Sequence, residues 1–327
     1  MLNTDFFHAA VPPRPMGKYA HIVMLRVTEG YALFQTDGEL NRARVSAGTA
    51  QDSPLVTRIT LFKRKQTTPE RLNGRELLRH FGLLSDSDDE KDPDSCIYNV
   101  KSCRKCPDCI TYGFAIGDGG SEKSKVYADT AFSLTDYATS HEVFTLNAPY
   151  EDGTMSDRGE VTSRINQQDH VKPQTIFPSV ITTRDLTTAL FAYVLNNVLR
   201  TTRYGATTTR GGTVRNHVAA IVLSDGEIFS NLLFTQRLYD LLQPTGSDPI
   251  AVADALRAAD QVIPELLAAD SVRDQQILMG DELQSFLQQV RDMDDNALRE
   301  QLTQANHEAQ TYHQAYIAKP DKKSTKK

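Results

Sequence analysis

Apolar and polar residues alternate with two different periods along this chain, and the change of period predicts where strands and helices lie. A period of two, rich in β-branched residues, predicts strands at 18–35 (turning near Glu29-Gly30), 55–63, 125–134, 175–182 and 218–223. Apolar residues three and four positions apart predict helices at 68–84, 185–199, 232–242, 250–269 and 281–314. Polar stretches predict loops at 36–50 and 201–213 and a long excursion or hairpin at 139–174.

The order of these elements indicates the fold class. Strands interleave with two helices through most of the chain and helices alone follow Asp225, so we expect an α+β fold with a split β-α-β sheet and a helical C-terminal region. The first helix is expected to begin at Thr68-Pro69, because threonine caps helices and proline suits a first turn. The second is expected to be capped near Thr183.

Composition narrows the class of protein. The chain has 327 residues, of which 39% are hydrophobic, and it has no tryptophan. No apolar run approaches the roughly 18 residues that would predict a membrane span, and residues 1–15 lack the pattern of a secretion signal. We therefore expect a cytoplasmic protein with no membrane association.

The net charge of −6 argues against a nucleic-acid partner until its distribution is considered. Residues 42–80 carry nine lysines and arginines against three acids, and no acid occurs between Asp185 and Asp225. Residues 236–312 instead carry fourteen acids against five arginines. Such segregation allows one face to bind phosphate while another faces solvent or a protein partner.

All four cysteines fall within fourteen residues, in the order Cys96, Cys103, Cys106 and Cys109. Four thiolates with C-x2-C spacing predict a closed, structural metal site, and Zn²⁺ is the expected metal. An iron–sulfur cluster is the rival assignment, and unligated thiols are the third. A bound metal would fold a segment that has little apolar content of its own.

The segment from Arg200 to His217, which we call the arginine segment, combines basic residues, threonines and glycines without any acid. Glycine lets a backbone approach phosphate closely, arginine and threonine supply donors, and tyrosine offers a stacking face. No Gly-Lys-Ser/Thr follows the glycines, so it is not a P-loop. The alternative is a flexible helix-to-strand loop. Its candidate RNA-binding residues are Arg200, Arg203, Tyr204, Arg210, Gly211, Gly212, Arg215 and His217.

Other basic residues could extend such a site. Arg58 and the run Lys63-Arg64-Lys65 could form a basic strip, while Arg71, Arg75 and Arg79 share one helix face at four-residue spacing. Arginines so spaced repel one another unless an anion lies across them; the alternative is a solvated face. The glycine-rich turn 113–125, ending at Lys125, is equally compatible with a ligand contact and with a tight loop.

Catalytic signals are weak. The chain has no Gly-x-Ser-x-Gly and no His-Glu-x-x-His motif, and no cysteine lies outside the cluster. Asp37 and Asp52 lie in the loop region after the first strand, where a metal-assisted attack on phosphate could be placed. A single loop aspartate is more often a turn residue.

Taken together, these features resemble the RAMP superfamily of CRISPR backbone subunits, particularly that of the type I-D effector (Cascade) complex. The resemblance covers most of the chain and lies in the order of its features. They are Gly74-Arg75-Glu76-Leu77-Leu78-Arg79, the cysteine insertion, Gly119-Gly120 followed by Lys125-Val126, the polar excursion and the Arg-Gly-Gly loop before Val218.

The resemblance implies a core like an RNA-recognition motif (ferredoxin-like), a zinc-bearing insertion and a thumb-like hairpin. The implied division is 1–84 and 113–138 for the first parts of the core, 85–112 for the insertion, 139–174 for the thumb, 175–230 for the rest of the core, 231–318 for a helical region and 319–327 for a disordered basic tail.

The resemblance also implies function. Several copies of the chain would coat a CRISPR guide RNA, hold its backbone and present it for pairing with target DNA or RNA. The other partners would be the large and small subunits, a guide-end-capping subunit and a helicase-nuclease. In related type III subunits an aspartate in the loop after the first strand cuts the target with a divalent metal, which makes Asp52 the candidate catalytic residue and Asp37 its competitor. A zinc-stabilised adaptor without nucleic acid is the remaining alternative.

Overall fold

A computed structural model describes residues 2–318, except for 37, 116–119, 147–149, 151–155, 158–159, 162–165 and 245–248. The strands are β1 (Tyr19–Thr28), β2 (Gln35–Thr36), β3 (Glu39–Leu40), β4 (Arg42–Ser46), β5 (Leu55–Leu61), β6 (Phe114–Ala115), β7 (Ser121–Glu122), β8 (Val126–Ala128), β9 (Ala131–Phe132), β10 (His141–Leu146), β11 (Ser156–Asp157), β12 (Glu160–Val161), β13 (Asn166–Val171), β14 (Ile176–Arg184), β15 (Val214–Ser224) and β16 (Gln275–Leu278). The helices are α1 (Lys63–His80), α2 (Pro107–Tyr112), α3 (Tyr137–Ser140), α4 (Thr188–Arg200), α5 (Asn231–Leu242), α6 (Val252–Ala269), α7 (Gly280–Arg291) and α8 (Asp295–Tyr312).

The main sheet has five strands in the order β16-β15-β1-β14-β8, and every neighbouring pair is antiparallel. Strand β1 is buried along its whole length, because both faces of the sheet are covered. Alternate residues show this directly: Ile22 and Met24 pack into one hydrophobic cluster, whereas Val23 and Leu25 pack into another. The sheet is therefore the middle layer of three.

One outer layer contains α1, α4, α7, α8 and the cysteine-rich segment, and the other contains α5 and α6. Helices α1 and α4 cross closely at Gly74, where a Cβ atom would lie only 2.3 Å from the side-chain oxygen of Asn197. A larger residue at position 74 would push the two helices apart. This close crossing fixes α1 on the sheet.

Smaller sheets lie beside the main one. Strands β4, β5 and β9 form a three-stranded antiparallel sheet, and a third hydrophobic cluster joins it to the end of β14 through Ile59, Leu61 and Phe177. Strands β10 and β13 pair antiparallel and form the root of the predicted thumb-like hairpin. Much of the stretch between them lies outside the described residues.

The predicted α+β class and helical C-terminal region are confirmed, but several element boundaries were wrong. Helix α1 begins at Lys63, five residues before the predicted start, with Pro69 inside it. Tertiary contacts outweigh the local signal here, because the buried Gln66 amide donates to the backbone oxygens of Leu61 and Asp129, each at 2.8 Å. Helix α4 is capped by Thr187 instead of Thr183.

The sequence patterns did not predict β3, β4, β6, β7 and β16 as strands, and one predicted helix was divided. Strand β4 lies in a segment predicted as loop, because its residues are exposed or half-buried and show no apolar pattern; it pairs with β5. Strand β16 lies at the edge of the main sheet. The predicted helix 281–314 is two helices, separated where Asp294 caps α8. None of the helices that the structure describes is long and apolar enough to cross a membrane.

Candidate metal centre and nucleic-acid interface

The four cysteines meet at one buried point. Their Sγ atoms all lie within 4.8 Å of one another, with Cys109 3.7 Å from Cys96 and 4.0 Å from Cys103. A zinc ion about 2.3 Å from four tetrahedral sulfurs would space them about 3.8 Å apart. The donor set and its spacing therefore fit a single tetrahedral ion, and no other group of this kind occurs among the described residues.

Backbone geometry holds these sulfurs in place. Cys106 caps the short helix α2, and its Sγ accepts a hydrogen bond from the backbone N–H of Cys109 at 3.4 Å. The Sγ of Cys96 accepts one from the N–H of Cys103, also at 3.4 Å. Arg104, which lies between Cys103 and Cys106, has a left-handed backbone with a φ of 64°. Such N–H donors stabilise thiolates, the form in which cysteine binds a metal.

The charges around the sulfurs come from helix α1. Arg75 Nη1 lies 3.3 Å from Cys96 Sγ and 3.0 Å from the carboxylate of Asp108. Arg71 binds the same carboxylate with two N–H groups, at 2.9 and 3.0 Å. Asp108 is fully buried and Arg75 nearly so. The anion that lies across the arginine row is thus Asp108, so Arg71 and Arg75, both predicted to contact RNA, already have a carboxylate partner within the protein.

These contacts change the pKa values of Cys96, Arg71 and Arg75. Hydrogen bonds from the other three thiols, followed by the charge of Arg75, lower the pKa of the Cys96 thiol. Burial favours the neutral form of an arginine side chain and so lowers its pKa. The carboxylate of Asp108 outweighs this effect and raises the pKa of Arg71 and of Arg75 above the usual arginine value. Arg75 therefore favours the thiolate form of Cys96, the form in which cysteine binds a metal.

The arginine segment starts at the end of α4, crosses over residues 31–34 and enters β15. Gly212 N–H donates to the Tyr31 carbonyl at 3.0 Å, and Ala206 N–H donates to the Leu33 carbonyl at 2.9 Å. A Cβ atom on Gly211 would lie 2.5 Å from the Tyr31 oxygen, and Gly212 has a φ of 83°. The two glycines therefore serve close packing within the protein, which corrects their predicted role in approaching phosphate.

Tyr204 anchors this segment in the interior. Its side chain is fully buried, and its hydroxyl lies 3.0 Å from Arg26 Nη1, 3.1 Å from Glu70 and 2.7 Å from the Asn216 amide. Arg26 and Glu70 form a buried ion pair of 2.8 Å. Burial raises the pKa of Glu70, although Arg26 opposes the shift. The prediction of a stacking face on Tyr204 was wrong, because the ring faces the core.

Two exposed arginines of this segment, Arg200 and Arg203, line one side of a groove. Arg200, Arg203 and Arg210 are exposed and, among the described residues, none forms an ion pair with a carboxylate. Arg203 donates to the Gly211 carbonyl at 3.2 Å, which aims its guanidinium along the segment. Arg215 is also exposed, but Glu29 pairs with it at 2.5 Å.

Helix α1 forms the opposite wall of this groove. One part lies between α1 and residues 201–208, and the next lies between α1 and Arg200; the two parts adjoin at Asn73 and Glu76. Arg79 and His80 close the second part. Hydroxyl, amide and guanidinium groups contribute much of the lining, and two acids, Glu76 on the helical wall and Asp86, also line it. The groove thus offers donors along its length and cations at its ends.

The remaining predicted contacts are divided between the surface and the interior. Arg58 is fully buried and donates to the backbone oxygens of Ala47, Ser133 and Leu134, so its predicted place in a surface strip was wrong. Burial lowers its pKa to about 10. Lys125 binds Glu122 at 2.6 Å and lies over the ring of Tyr312, and His217 is half-buried. Lys63 and Arg64 are exposed at the start of α1.

Asp52 lies exposed in the turn between β4 and β5. The cysteines are the one set of at least three potential ligands that converge within the described part of the chain, so Asp52 belongs to no such set there. Asp37 lies outside the described residues. The nuclease assignment therefore rests on sequence alone.

Sequence reasoning missed three features. Asp108 stands inside the cysteine motif, and its charge beside a helical arginine row was the available signal. The Arg26–Glu70 pair had no local signal, because the two residues lie 44 positions apart. The third feature is an aromatic cluster of Tyr31, Phe144 and His170 at the root of the β10–β13 hairpin.

One family model matches most of the chain, and several solved structures share its fold. The family model described as Csc2 Crispr matches residues 6–303. The crystal structure of Thermofilum pendens Csc2 is similar, with a TM-score of 0.60 and 14% identity over 96% of this chain and 95% of that one. A chain of a CRISPR RNA-guided surveillance complex gives 0.50 at 10% identity (89% of this chain, 99% of that one), and one from such a complex described as pre-nicking gives 0.53 at 10% (89% and 100%). No curated protein matches the chain.

Proposed function

The chain belongs to the Csc2 family of CRISPR proteins, and on this premise we propose that it is the backbone subunit of a type I-D effector complex. In this proposal several copies coat the guide RNA, hold its phosphates without reading its sequence and present it for pairing with target nucleic acid. The observation that carries the proposal is the groove between α1 and the arginine segment, whose exposed arginines have no carboxylate partner among the described residues.

The topology supports an RNA-recognition-motif-like core. Strand β1, helix α1, strands β8 and β14, helix α4 and strand β15 occur in this order along the chain, with other elements between them, and the four strands stand in the order β8-β14-β1-β15. A ferredoxin-like unit with insertions would have this β-α-β-β-α-β order. Strand β16 extends it at one edge.

The covered sheet supports binding in the groove. RNA-recognition motifs commonly stack bases on an open sheet face. Here α5 and α6 pack on that face, and Val23, Leu25 and Val27 of β1 are buried beneath them. A strand of RNA on this protein therefore needs another surface, and the groove on α1 provides one with hydrogen-bond donors and cations.

Electrostatics favour the backbone of a nucleic acid as the occupant. Arg200, Arg203 and Arg210 lie in a stretch of 39 residues without an acid, so the acids that line the groove, Glu76 and Asp86, come from other segments. Guanidinium groups bind phosphate with paired N–H donors. Phosphate contacts of this type carry no sequence information, as a guide-coating protein requires.

We assign the metal centre as structural zinc. All four positions of a tetrahedral ion are taken by Cys96, Cys103, Cys106 and Cys109, which leaves none for a substrate. The spacing of the sulfurs suits one ion better than a multi-iron cluster, which would hold them farther apart. Through Arg75 and Asp108 this centre supports α1, one wall of the groove.

The test is binding of the full chain to fluorescent, guide-length single-stranded RNAs of unrelated sequence at several salt concentrations. We expect similar affinities for all sequences and a steep loss of affinity with salt, because each phosphate contact adds about 0.7 to the logarithmic slope for single strands. Native mass spectrometry of the same sample should show one zinc ion per chain. Absence of RNA binding, or an affinity that ignores salt, would refute the proposal.

A further inference from the structure

The aromatic cluster of Tyr31, Phe144 and His170 lies just beyond the arginine segment. Phe144 meets the Tyr31 ring edge to face, with 4.6 Å between centroids, and His170 lies 5.1 Å from Phe144. Tyr31 remains 38% exposed and is one of the exposed large apolar side chains of the described chain. Three rings gathered at one exposed point form a local platform, unlike a single exposed tyrosine.

Hydrogen bonds hold Tyr31 both at its side-chain hydroxyl and at its backbone. Its hydroxyl donates to Glu142 Oε2 at 2.9 Å, and its backbone carbonyl accepts the N–H of Gly212 at 3.0 Å. Glu142 lies on β10, and Phe144 and His170 lie on the same face of the β10–β13 pair. The side chain is therefore positioned before any ligand arrives, which lowers the entropic cost of stacking on it.

The cluster adjoins the proposed path of the RNA backbone. Arg203 donates to the Gly211 carbonyl, and Gly211 packs against the backbone of Tyr31. A strand whose phosphate binds Arg203 thus passes beside the cluster. Glu142 would repel a phosphate at the ring itself, so the group suited to that position is an uncharged base.

From these contacts we propose that Tyr31, supported by Phe144 and His170, stacks one unpaired nucleobase of the strand that the arginine segment holds. This inference rests on the proposed function and adds a second kind of contact to it. Stacking on an aromatic ring tolerates any base, because every base has a π face. The site would therefore set the position of a nucleotide without selecting its identity.

Photo-crosslinking tests this directly, because 5-iodouridine couples to aromatic side chains that stack on it. The full chain is bound to guide-length RNA carrying one 5-iodouridine at successive positions, irradiated and mapped by mass spectrometry. We expect a cross-link to Tyr31 at a defined position, retained in Tyr31→Phe and lost in Tyr31→Leu. The matched control is Tyr316→Leu, since Tyr316 is 54% exposed in the C-terminal region.

Affinity supplies the second readout. Tyr31→Leu should weaken RNA binding roughly 5- to 100-fold, the range for one stacked base, whereas Tyr31→Phe and Tyr316→Leu should stay within twofold of the wild type. Unchanged affinity in Tyr31→Leu together with cross-links elsewhere would overturn the stacking site, while the salt-dependent binding of the proposed function would stand. If the wild type bound no RNA, both would fail.

Discussion

Helix α1 lies between two groups of arginines with very different surroundings. On the side that faces the cysteines, Arg71 and Arg75 bind the buried Asp108, and Arg75 also contacts Cys96. On the other side the helix forms a wall of the groove opposite Arg203, which has no carboxylate partner within the described chain. The chemistry of an arginine is the same in both places, but its anion is already present on the first side and must come from a ligand on the second. A cluster of arginines therefore indicates an anion-binding site only when the protein's own carboxylates do not already pair with it.

The largest effect should come from the metal-facing side. Cys103→Ser removes one of four sulfur ligands, so we expect loss of bound zinc and of several kcal/mol of unfolding free energy, since structural zinc contributes about 10–16 kcal/mol in small zinc-finger peptides. Metal content by mass spectrometry and urea unfolding measure it. Val100→Ser, at an exposed position of the same segment, is the control and should change neither; equal loss in both variants would argue against a metal centre.

A smaller effect on the same side should follow from Asp108→Ala. The substitution leaves two cations near each other without their carboxylate, and breaking a buried pair in this way costs about 3–5 kcal/mol. Glu76→Ala, on the groove side of the same helix, should change the unfolding free energy by less than about 0.5 kcal/mol. Similar losses in the two variants would remove the distinction between the two faces.

Tyr204→Phe sharpens the comparison at the base of the groove. The lost hydroxyl leaves the buried Arg26, Glu70 and Asn216 groups with one partner fewer, and we expect a cost of about 1–3 kcal/mol in urea unfolding. Tyr193→Phe is the matched control, because Tyr193 is equally buried and its hydroxyl has no hydrogen-bond partner in the described structure. Destabilisation by Tyr193→Phe equal to that by Tyr204→Phe would show that the network adds nothing.

The smallest effect on folding should come from the groove-facing side. Arg203→Ala should leave the unfolding free energy within about 0.5 kcal/mol of the wild type while reducing RNA affinity roughly 3- to 10-fold and the logarithmic salt slope by about 0.7. Fluorescence anisotropy with two unrelated RNAs measures both quantities. A loss confined to one RNA sequence would contradict phosphate recognition.

Local patterns were enough to predict the fold class and the cysteine cluster, because both depend on residues that are near one another in sequence. They also located the arginine segment, which does line a groove. They did not predict which individual side chains are buried or which partners those side chains contact. Arginine is usually a surface residue, yet Arg58 and Arg75 are both buried. Arg58 donates to the backbone oxygen of Ser133 and Arg75 to the carboxylate of Asp108, and both partners lie in distant segments.

The same limit applies to aromatic residues. Tyr204 lies in a polar, basic segment and was expected at the surface. Tyr31 lies near the end of the predicted first strand, and the sequence predicted no function for it. The structure reverses the two, because Tyr204 meets the buried Arg26–Glu70 pair and Tyr31 emerges at the hairpin root. Arg26, Glu70 and Glu142 all lie more than 100 residues from the tyrosine that they contact, so a local sequence window does not contain these contacts.

One measurement tests most directly the claim that RNA is held in the groove. It compares two triple variants with the same change of net charge, Arg200→Ala/Arg203→Ala/Arg210→Ala and Arg257→Ala/Arg291→Ala/Arg299→Ala, the second being exposed arginines of the acidic helical region. We predict that the first loses at least about tenfold in affinity for guide-length RNA and about 2 units of logarithmic salt slope, while the second binds like the wild type. Equal losses in the two, or a loss in the second alone, would contradict the account.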